Sequence, residues 1–143
     1  MSNIKFLMLF ILQGIASINS AQTFDRRKYN EEKENVLNVV INSPQFDSIY
    51  SAKRVYFNEN ELLLKSSPII LKKNRRKVKV LDDSSLKRRG LDYITLGDFT
   101  MIGQDPTKAR VQCSSTMTKK TLNVMLKKID GDWVFDNYLI VED

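Results

Sequence analysis

Residues 121–141 read TLNVMLKKIDGDWVFDNYLIV, two runs of alternating apolar and polar residues joined by Asp130-Gly131. Asp-Gly between such runs is the strongest short-range signal for a two-residue β-hairpin turn. With these two residues in the turn, the register predicts the cross-strand pairs Leu126–Phe135, Val124–Asn137 and Leu122–Leu139. The sequence therefore predicts that the chain closes with an antiparallel hairpin.

Side chains alternate between the two faces of a strand, so this register assigns each residue to a face. One face is apolar and is predicted to be the core face; with the preceding strand it comprises Leu122, Val124, Leu126, Trp133, Phe135, Leu139, Val141, Ala109, Val111 and Cys113. The other face is mixed and carries an amphipathic strip of Met125, Val134, Tyr138 and Ile140. We interpret this strip either as ordinary strand composition or as a contact between the sheets of a homodimer.

Turn signals divide residues 91–141 into four strands. Gly103-Gln104-Asp105-Pro106 and residues 117–120 supply the turns that precede Asp130-Gly131. In the first strand the apolar residues change phase at Gly97-Asp98, and a β-bulge there would restore a common face. The last third of the chain is therefore predicted to be a four-stranded antiparallel meander.

Two helices are predicted ahead of the strands. Residues 24–42 carry an apolar stripe at helical spacing, formed by Tyr29, Val36, Leu37, Val40 and Ile41. Ser43 and Pro44 suit the N-cap and the first turn of a second, short helix.

Residues 53–90 are less regular. Residues 54–57 and 61–64 predict two short strands around a turn at 58–60, and the basic residues 72–77 predict a hairpin tip that leads into a strand at 78–81. Residues 82–85 offer N-caps for one helical turn, which would end at Gly90.

Helices followed by a long meander indicate an α+β fold, in which an N-terminal amphipathic helix, or two, packs on a curved antiparallel sheet. The ending Lys128-Ile129-Asp130-Gly131-Asp132-Trp133-Val134, with Tyr138 five residues after the tryptophan, resembles the last hairpin of the NTF2-like and cystatin-like superfamily. The motif covers residues 107–143, and the remainder matches only in the order of its elements, with the basic hairpin at 72–77 as a departure. The resemblance implies a cone-shaped fold whose pocket serves ligand binding, dimerisation or catalysis.

The first residues have the pattern of a secretory signal peptide. Lys5 precedes the apolar run of residues 6–12, and small and polar residues then lead to Ala21. The apolar stretch is shorter than the roughly 20 residues that cross a bilayer as a helix. We therefore expect cleavage near Ala21, a periplasmic or secreted destination, no transmembrane segment in the mature chain, and one domain over residues 22–143.

Composition limits the chemistry. The chain has no histidine, which excludes Ser-His-Asp and Cys-His catalysis and histidine-ligated zinc. Cys113 is its one cysteine, so an internal disulfide is excluded, and we expect a buried small apolar side chain there. No metal-ligand spacing or cofactor motif is present, so neither a metal nor a cofactor is predicted.

The densest cluster of charge predicts the first candidate site. It consists of Lys72, Lys73, Arg75, Arg76, Lys77 and Lys79. Such a tract attracts anionic lipids or glycans in a salt-dependent way, or it is simply a solvated hairpin tip. Nucleic acid is disfavoured, because single-strand binding needs aromatic residues among the charges and residues 72–90 contain none.

Asp98 and Asp136 are the carboxylates set among apolar strand residues, and a buried carboxylate of this kind is a candidate for a general base. The register places Asp136 on the mixed face, and Asp98 lies at the expected bulge, so neither position favours catalysis. The sequence therefore predicts an exported, non-catalytic binding module with an unknown protein or small ligand. The alternatives are an NTF2-like enzyme that uses a pocket carboxylate, and a binder of anionic envelope surfaces through residues 72–79.

Overall fold

The computed structural model describes residues 25–103 and 105–142. Its helices are α1 (Arg26–Ile41), α2 (Pro44–Ile49) and α3 (Asp83–Arg89). Its strands are β1 (Tyr56–Asn58), β2 (Lys72–Lys73), β3 (Arg76–Lys77), β4 (Lys79–Leu81), β5 (Ile94–Ile102), β6 (Lys108–Ser115), β7 (Lys120–Ile129) and β8 (Asp132–Glu142). The predicted signal peptide lies outside the described residues.

The main sheet has the strand order β4-β1-β5-β6-β7-β8, and β2 and β3 form a separate small hairpin. Strands β5 to β8 are an antiparallel meander, whereas β1 is parallel to both of its neighbours. The sheet is curved and does not close. The α+β class predicted from the sequence is confirmed.

The helices begin and end where local chemistry predicts. The side chains of Asp25, Ser43 and Asp82 accept the backbone N–H three residues on, which satisfies donors that a helix leaves free. Helix α3 ends at Gly90, whose φ of 60° is the left-handed conformation that glycine adopts without a steric cost.

The core lies between the helices and one face of the sheet. Helix α1 contributes the predicted stripe, of which Val36, Leu37, Val40 and Ile41 are fully buried. Trp133 is 5% exposed, and its Nε1 donates to Glu32 of α1 at 2.6 Å. Lys128 pairs with the same carboxylate at 2.5 Å, so Glu32 ties the first helix to the closing hairpin.

The closing hairpin is confirmed near its turn and differs from the predicted register farther out. Leu126 lies opposite Phe135 as predicted, but a β-bulge follows, and Val124 and Leu122 lie opposite Tyr138 and Ile140. One extra residue reverses which side chains face the core.

The prediction of the core face is therefore wrong for two residues. Leu139 is 62% exposed and Val141 is 43% exposed, because both lie on the outer face beyond the bulge. Tyr138 and Ile140 take the inner face instead, opposite buried residues of β7.

The hairpin predicted for residues 54–64 is wrong. Strand β1 pairs in parallel with β4 and β5, and residues 61–64 form no strand. The Asn60 side chain explains this, since its Oδ1 accepts the N–H groups of Leu62 and Leu63 at 3.0 and 3.2 Å. A side chain that bonds nearby backbone in this way closes a local turn and competes with strand pairing.

The predicted bulge in β5 is confirmed. The register between β5 and β6 shifts between Leu96 and Asp98. A Cβ at Gly97 would lie 2.8 Å from Gln112 Oε1, so the missing side chain leaves room for the neighbouring strand.

Candidate functional site

Asn38 of α1 and Asn42, the residue that caps the C-terminus of α1, fix the small basic hairpin of β2 and β3. Asn38 Oδ1 accepts from Lys72 N at 2.9 Å. Asn42 Nδ2 donates to Lys72 O at 2.7 Å, and Asn42 Oδ1 accepts from Asn74 N at 3.0 Å. The hairpin turns at Asn74 and Arg75, whose φ angles of 49° and 69° match a type I′ turn.

Lys73 anchors the hairpin from inside. Its ammonium donates to Ile41 O at 2.8 Å, pairs with Asp47, and lies 5.6 Å from the centre of the Phe46 ring. The residue is buried, and a buried ammonium needs such partners to offset its desolvation. The ammonium group of Lys73 is therefore engaged in contacts within the fold, whereas the neighbouring basic side chains are not.

A second basic segment, Lys53 and Arg54, lies next to the hairpin. In the parallel pairing of β1 with β4, Tyr56 lies opposite Lys79. The hydroxyl of Tyr50 lies 3.0 Å from Arg54 O and 3.1 Å from Asp92 O. Burial raises the pKa of Tyr50 to about 12, so this hydroxyl stays a hydrogen-bond donor at neutral pH.

These contacts create one groove of about 390 Å³ at the β4 edge of the sheet. We call it the basic groove; its lining residues are Lys53, Arg54, Val55, Tyr56, Lys73, Arg76, Lys77 and Lys79. No acidic residue is among them. The guanidinium of Arg89 lies 5.9 Å from the centre of the Tyr56 ring, which adds a further cation beside the groove.

The lining cations other than Lys73 are exposed and carry no salt bridge to any acid of the described chain; they are Lys53, Arg54, Arg76, Lys77 and Lys79. Several like charges around a shallow concavity reinforce one another's potential and attract anions. Guanidinium and ammonium groups donate well to phosphate, sulfate and carboxylate oxygens. The groove can therefore hold an anion, and its lining contains no carboxylate that could act as a general base.

The sequence predicted part of this set. Lys73, Arg76, Lys77 and Lys79 converge on the groove, whereas Lys72 and Arg75 do not line it. No local signal in the sequence marks Lys53 and Arg54, because the parallel pairing of β1 with β4 brings them to the groove from a distant part of the chain.

The two candidate carboxylates lie in ion pairs away from the groove. Asp98 pairs with Arg110 at 2.6 Å and accepts from Thr100 at 2.9 Å. Asp136 pairs with Lys127 at 3.2 Å. The two belong to different strands and share no cavity among the grooves of the described residues.

The bulge in β8 divides the predicted amphipathic strip. Met125 remains on the outer face, whereas Tyr138 and Ile140 lie opposite Val124 and Leu122 on the inner face. The strip is therefore not one continuous surface, and a sheet-to-sheet contact through all of its members is ruled out by this geometry.

Other polar and reactive groups of the core are structural. Cys113 is buried, and burial raises the pKa of its thiol to about 12, which leaves it protonated and inert. Lys33 donates to Leu62 O and lies 5.1 Å from the centre of the Phe99 ring, and burial lowers its pKa. Within residues 25–103 and 105–142, no group of three or more His, Cys, Asp or Glu side chains is arranged to hold a metal.

None of the helices in the described part of the chain has the length and apolarity needed to cross a membrane. Comparison with protein-family models, with curated proteins and with solved structures found no match to this chain.

Proposed function

We propose that this chain is an exported, non-catalytic α+β binding module that holds an anionic polymer in the basic groove. The observation that carries the proposal is the convergence of five exposed, unpaired cations on one concavity that contains no acid. Residues 72–79 supply three of them, and residues 53 and 54 supply the others.

The proposed ligand is a polymer because the cations are exposed. An exposed ion pair contributes only about 0.2–1 kcal/mol, so several pairs are needed for useful affinity. A polymer with repeated sulfate, phosphate or carboxylate groups offers several charges to one groove and releases condensed counterions as it binds. Aromatic stacking plays no part, because Tyr56 is buried beneath Arg89, and this disfavours single-stranded nucleic acid.

Export rests on residues 1–21, whose pattern is that of a cleaved signal peptide. Membership of the NTF2-like or cystatin-like superfamily is part of the proposal. It is supported by the order of helices and meander and by the segment from Lys128 to Tyr138. Mass spectrometry of the exported protein tests the first point: a chain that begins near residue 22 supports it, and a retained leader contradicts it.

Binding of a fluorescent heparin oligosaccharide, measured by anisotropy, tests the groove. We expect affinity to fall about 100-fold between 50 and 200 mM salt, as for a contact that releases several counterions. Arg76→Ser/Lys77→Ser should weaken binding about 10-fold at fixed salt, the loss of two exposed ion pairs.

The matched control is Arg26→Ala/Arg27→Ala. It removes the same charge from the first turn of α1, about 24 Å of helix away from the hairpin. Equal weakening by both double variants would show that net charge rather than the groove binds the glycan, and would overturn the proposal. Vesicles that contain anionic lipid form a second arm of the experiment, because lipid headgroups carry anionic groups as the glycan does. Tighter binding to these vesicles than to heparin would identify a membrane surface as the ligand instead.

The second candidate function is an NTF2-like enzyme that uses a pocket carboxylate. No observation favours it at the two predicted residues, because Asp98 and Asp136 are each engaged by a neighbouring cation.

A further inference from the structure

Strand β8 leaves one edge of the main sheet open. It is the last strand in the order β4-β1-β5-β6-β7-β8, and it runs for 11 residues. Nothing in the described chain pairs with its outer side. Tyr138, Leu139 and Val141 are 50%, 62% and 43% exposed along this edge.

After the bulge at Asp136, this edge carries an uncharged segment, residues 137–141. Residues 137–141 contain no lysine, proline or glycine, and they continue as a straight ladder with β7 after the bulge. The opposite edge, by contrast, is the three-residue strand β4 with an exposed lysine. An uncharged, exposed edge segment is a template for pairing with another strand, so residues 137–141 are the part of the sheet edge available to a partner strand.

We propose that the partner is a second copy of this chain, whose β8 pairs antiparallel with the first about a two-fold axis at Ile140. Two residues directly opposite each other in a ladder point to the same face of the sheet. In a two-fold pairing of identical strands, the axis must therefore pass through the position of a residue and not between two residues. Centring on Ile140 places it opposite its own copy, Leu139 opposite Val141, and Tyr138 opposite Glu142.

Charge favours this centre over its neighbours. A pairing centred on Leu139 would oppose Asp136 and Glu142, two acids, which is destabilising. A pairing centred on Val141 would set Ile140 against Glu142. The Ile140 register opposes apolar residues at its centre and gives the Tyr138 hydroxyl a carboxylate to donate to. Lys120 lies 3.6 Å from Glu142 and offsets its charge.

The contact is small, so the dimer is weak. Five paired residues bury less than the roughly 1,200 Å² of a standard interface, and such contacts are transient. The pairing would join the two main sheets edge to edge into one larger sheet. The two β4 edges, and with them the two basic grooves, would lie at opposite ends of that sheet. Two linked grooves would bind one long polyanion more tightly than one groove does.

Sedimentation equilibrium of the protein expressed from its full coding sequence tests the dimer. The wild type should show a concentration-dependent monomer–dimer equilibrium, and Leu139→Lys should be monomeric over the same range. Ile70→Lys is the control, because Ile70 is 50% exposed and lies outside the sheet edge; it should dimerise like the wild type. A wild type that stays monomeric, or a Leu139→Lys variant that still dimerises, overturns the proposal.

A cysteine at the axis tests the register independently. Ile140→Cys should form a disulfide-linked dimer on mild oxidation, since residues opposite each other in a ladder are about 4.5–5.5 Å apart at Cα. The native Cys113 is buried and does not compete. Leu139→Cys should not cross-link, because the same register offsets it from its copy by two residues. Efficient cross-linking of Leu139→Cys instead of Ile140→Cys contradicts the register.

Discussion

The β5–β8 meander and residues 50–81 differ in what their backbone groups pair with. In the meander each strand pairs with its neighbour in sequence, and one face is buried apolar side chains. In residues 50–81 the backbone is held by polar side chains from distant positions, among them Asn38, Asn42 and Lys33. Both regions bury apolar side chains, but in residues 50–81 side chains from distant positions also fix the backbone by directed hydrogen bonds.

This difference explains where the cations lie. A strand within the sheet must bury one of its faces, which leaves little room for clustered charge. Strand β4 lies at the edge of the main sheet, and the separate β2–β3 hairpin is anchored by Lys73, so the remaining basic side chains of β3 and β4 stay in solvent. The groove therefore lies on the surface of a region whose backbone is fixed by polar side chains of α1 and its C-cap.

The largest predicted effect tests the meander. Trp133→Ala should lower the free energy of unfolding by about 3–5 kcal/mol, because it removes a buried ring and leaves Glu32 without its N–H donor. Urea denaturation measures this loss. Leu139→Ala, in the same strand but exposed, should cost less than about 1 kcal/mol. Equal losses for the two variants would contradict the placement of the core face.

A smaller effect is expected in the other region. Asn42→Ala removes the hydrogen bonds to Lys72 and Asn74, and should cost about 1–2 kcal/mol. Hydrogen exchange should then accelerate at residues 72–77 and stay unchanged in the meander. Asn123→Ala, on the outer face of β7, is the control and should change neither. Uniform acceleration through the whole chain would show that the two regions are not held separately.

The smallest effect is a pH dependence of the buried thiol. Burial raises the pKa of Cys113 from 9.0 to about 12, so above pH 9 the unfolded chain loses a proton that the folded chain keeps. Stability therefore falls as pH rises, by about 1 kcal/mol between pH 9 and pH 10 from this group.

Cys113→Ala should flatten the pH dependence by that amount. Other groups, including Tyr50 with its raised pKa and Lys33 with its lowered pKa, act equally in both proteins and cancel in the comparison. Parallel stability curves for the two proteins between pH 9 and pH 10 would contradict the burial of the thiol.

The sequence predicted the meander and the helices because turn residues, apolar spacing and helix caps act between residues that are close together in the chain. Asp130-Gly131 fixes a turn, and Asp130 and Gly131 adopt φ angles of 51° and 86° as a type I′ turn requires. The apolar stripe of α1, its end at Asn42 and the cap at Ser43 follow from spacing and capping in the same way.

The register beyond the bulge in β8 could not be predicted. Alternation alone continues past Asp136 without a break, and only the paired structure shows that this residue is left out of the ladder. The same limit applies to the groove, since the parallel pairing of Tyr56 with Lys79 joins residues far apart in sequence and leaves no periodic trace.

Hydrogen exchange with and without a bound heparin oligosaccharide tests the central claim most directly, because it maps the contact without a substitution. The basic groove predicts protection at residues 53–56 and 76–79, and no change at residues 26–34 or in β6 and β7. Protection confined to any other surface, or none at saturating glycan, would contradict the groove as the binding site.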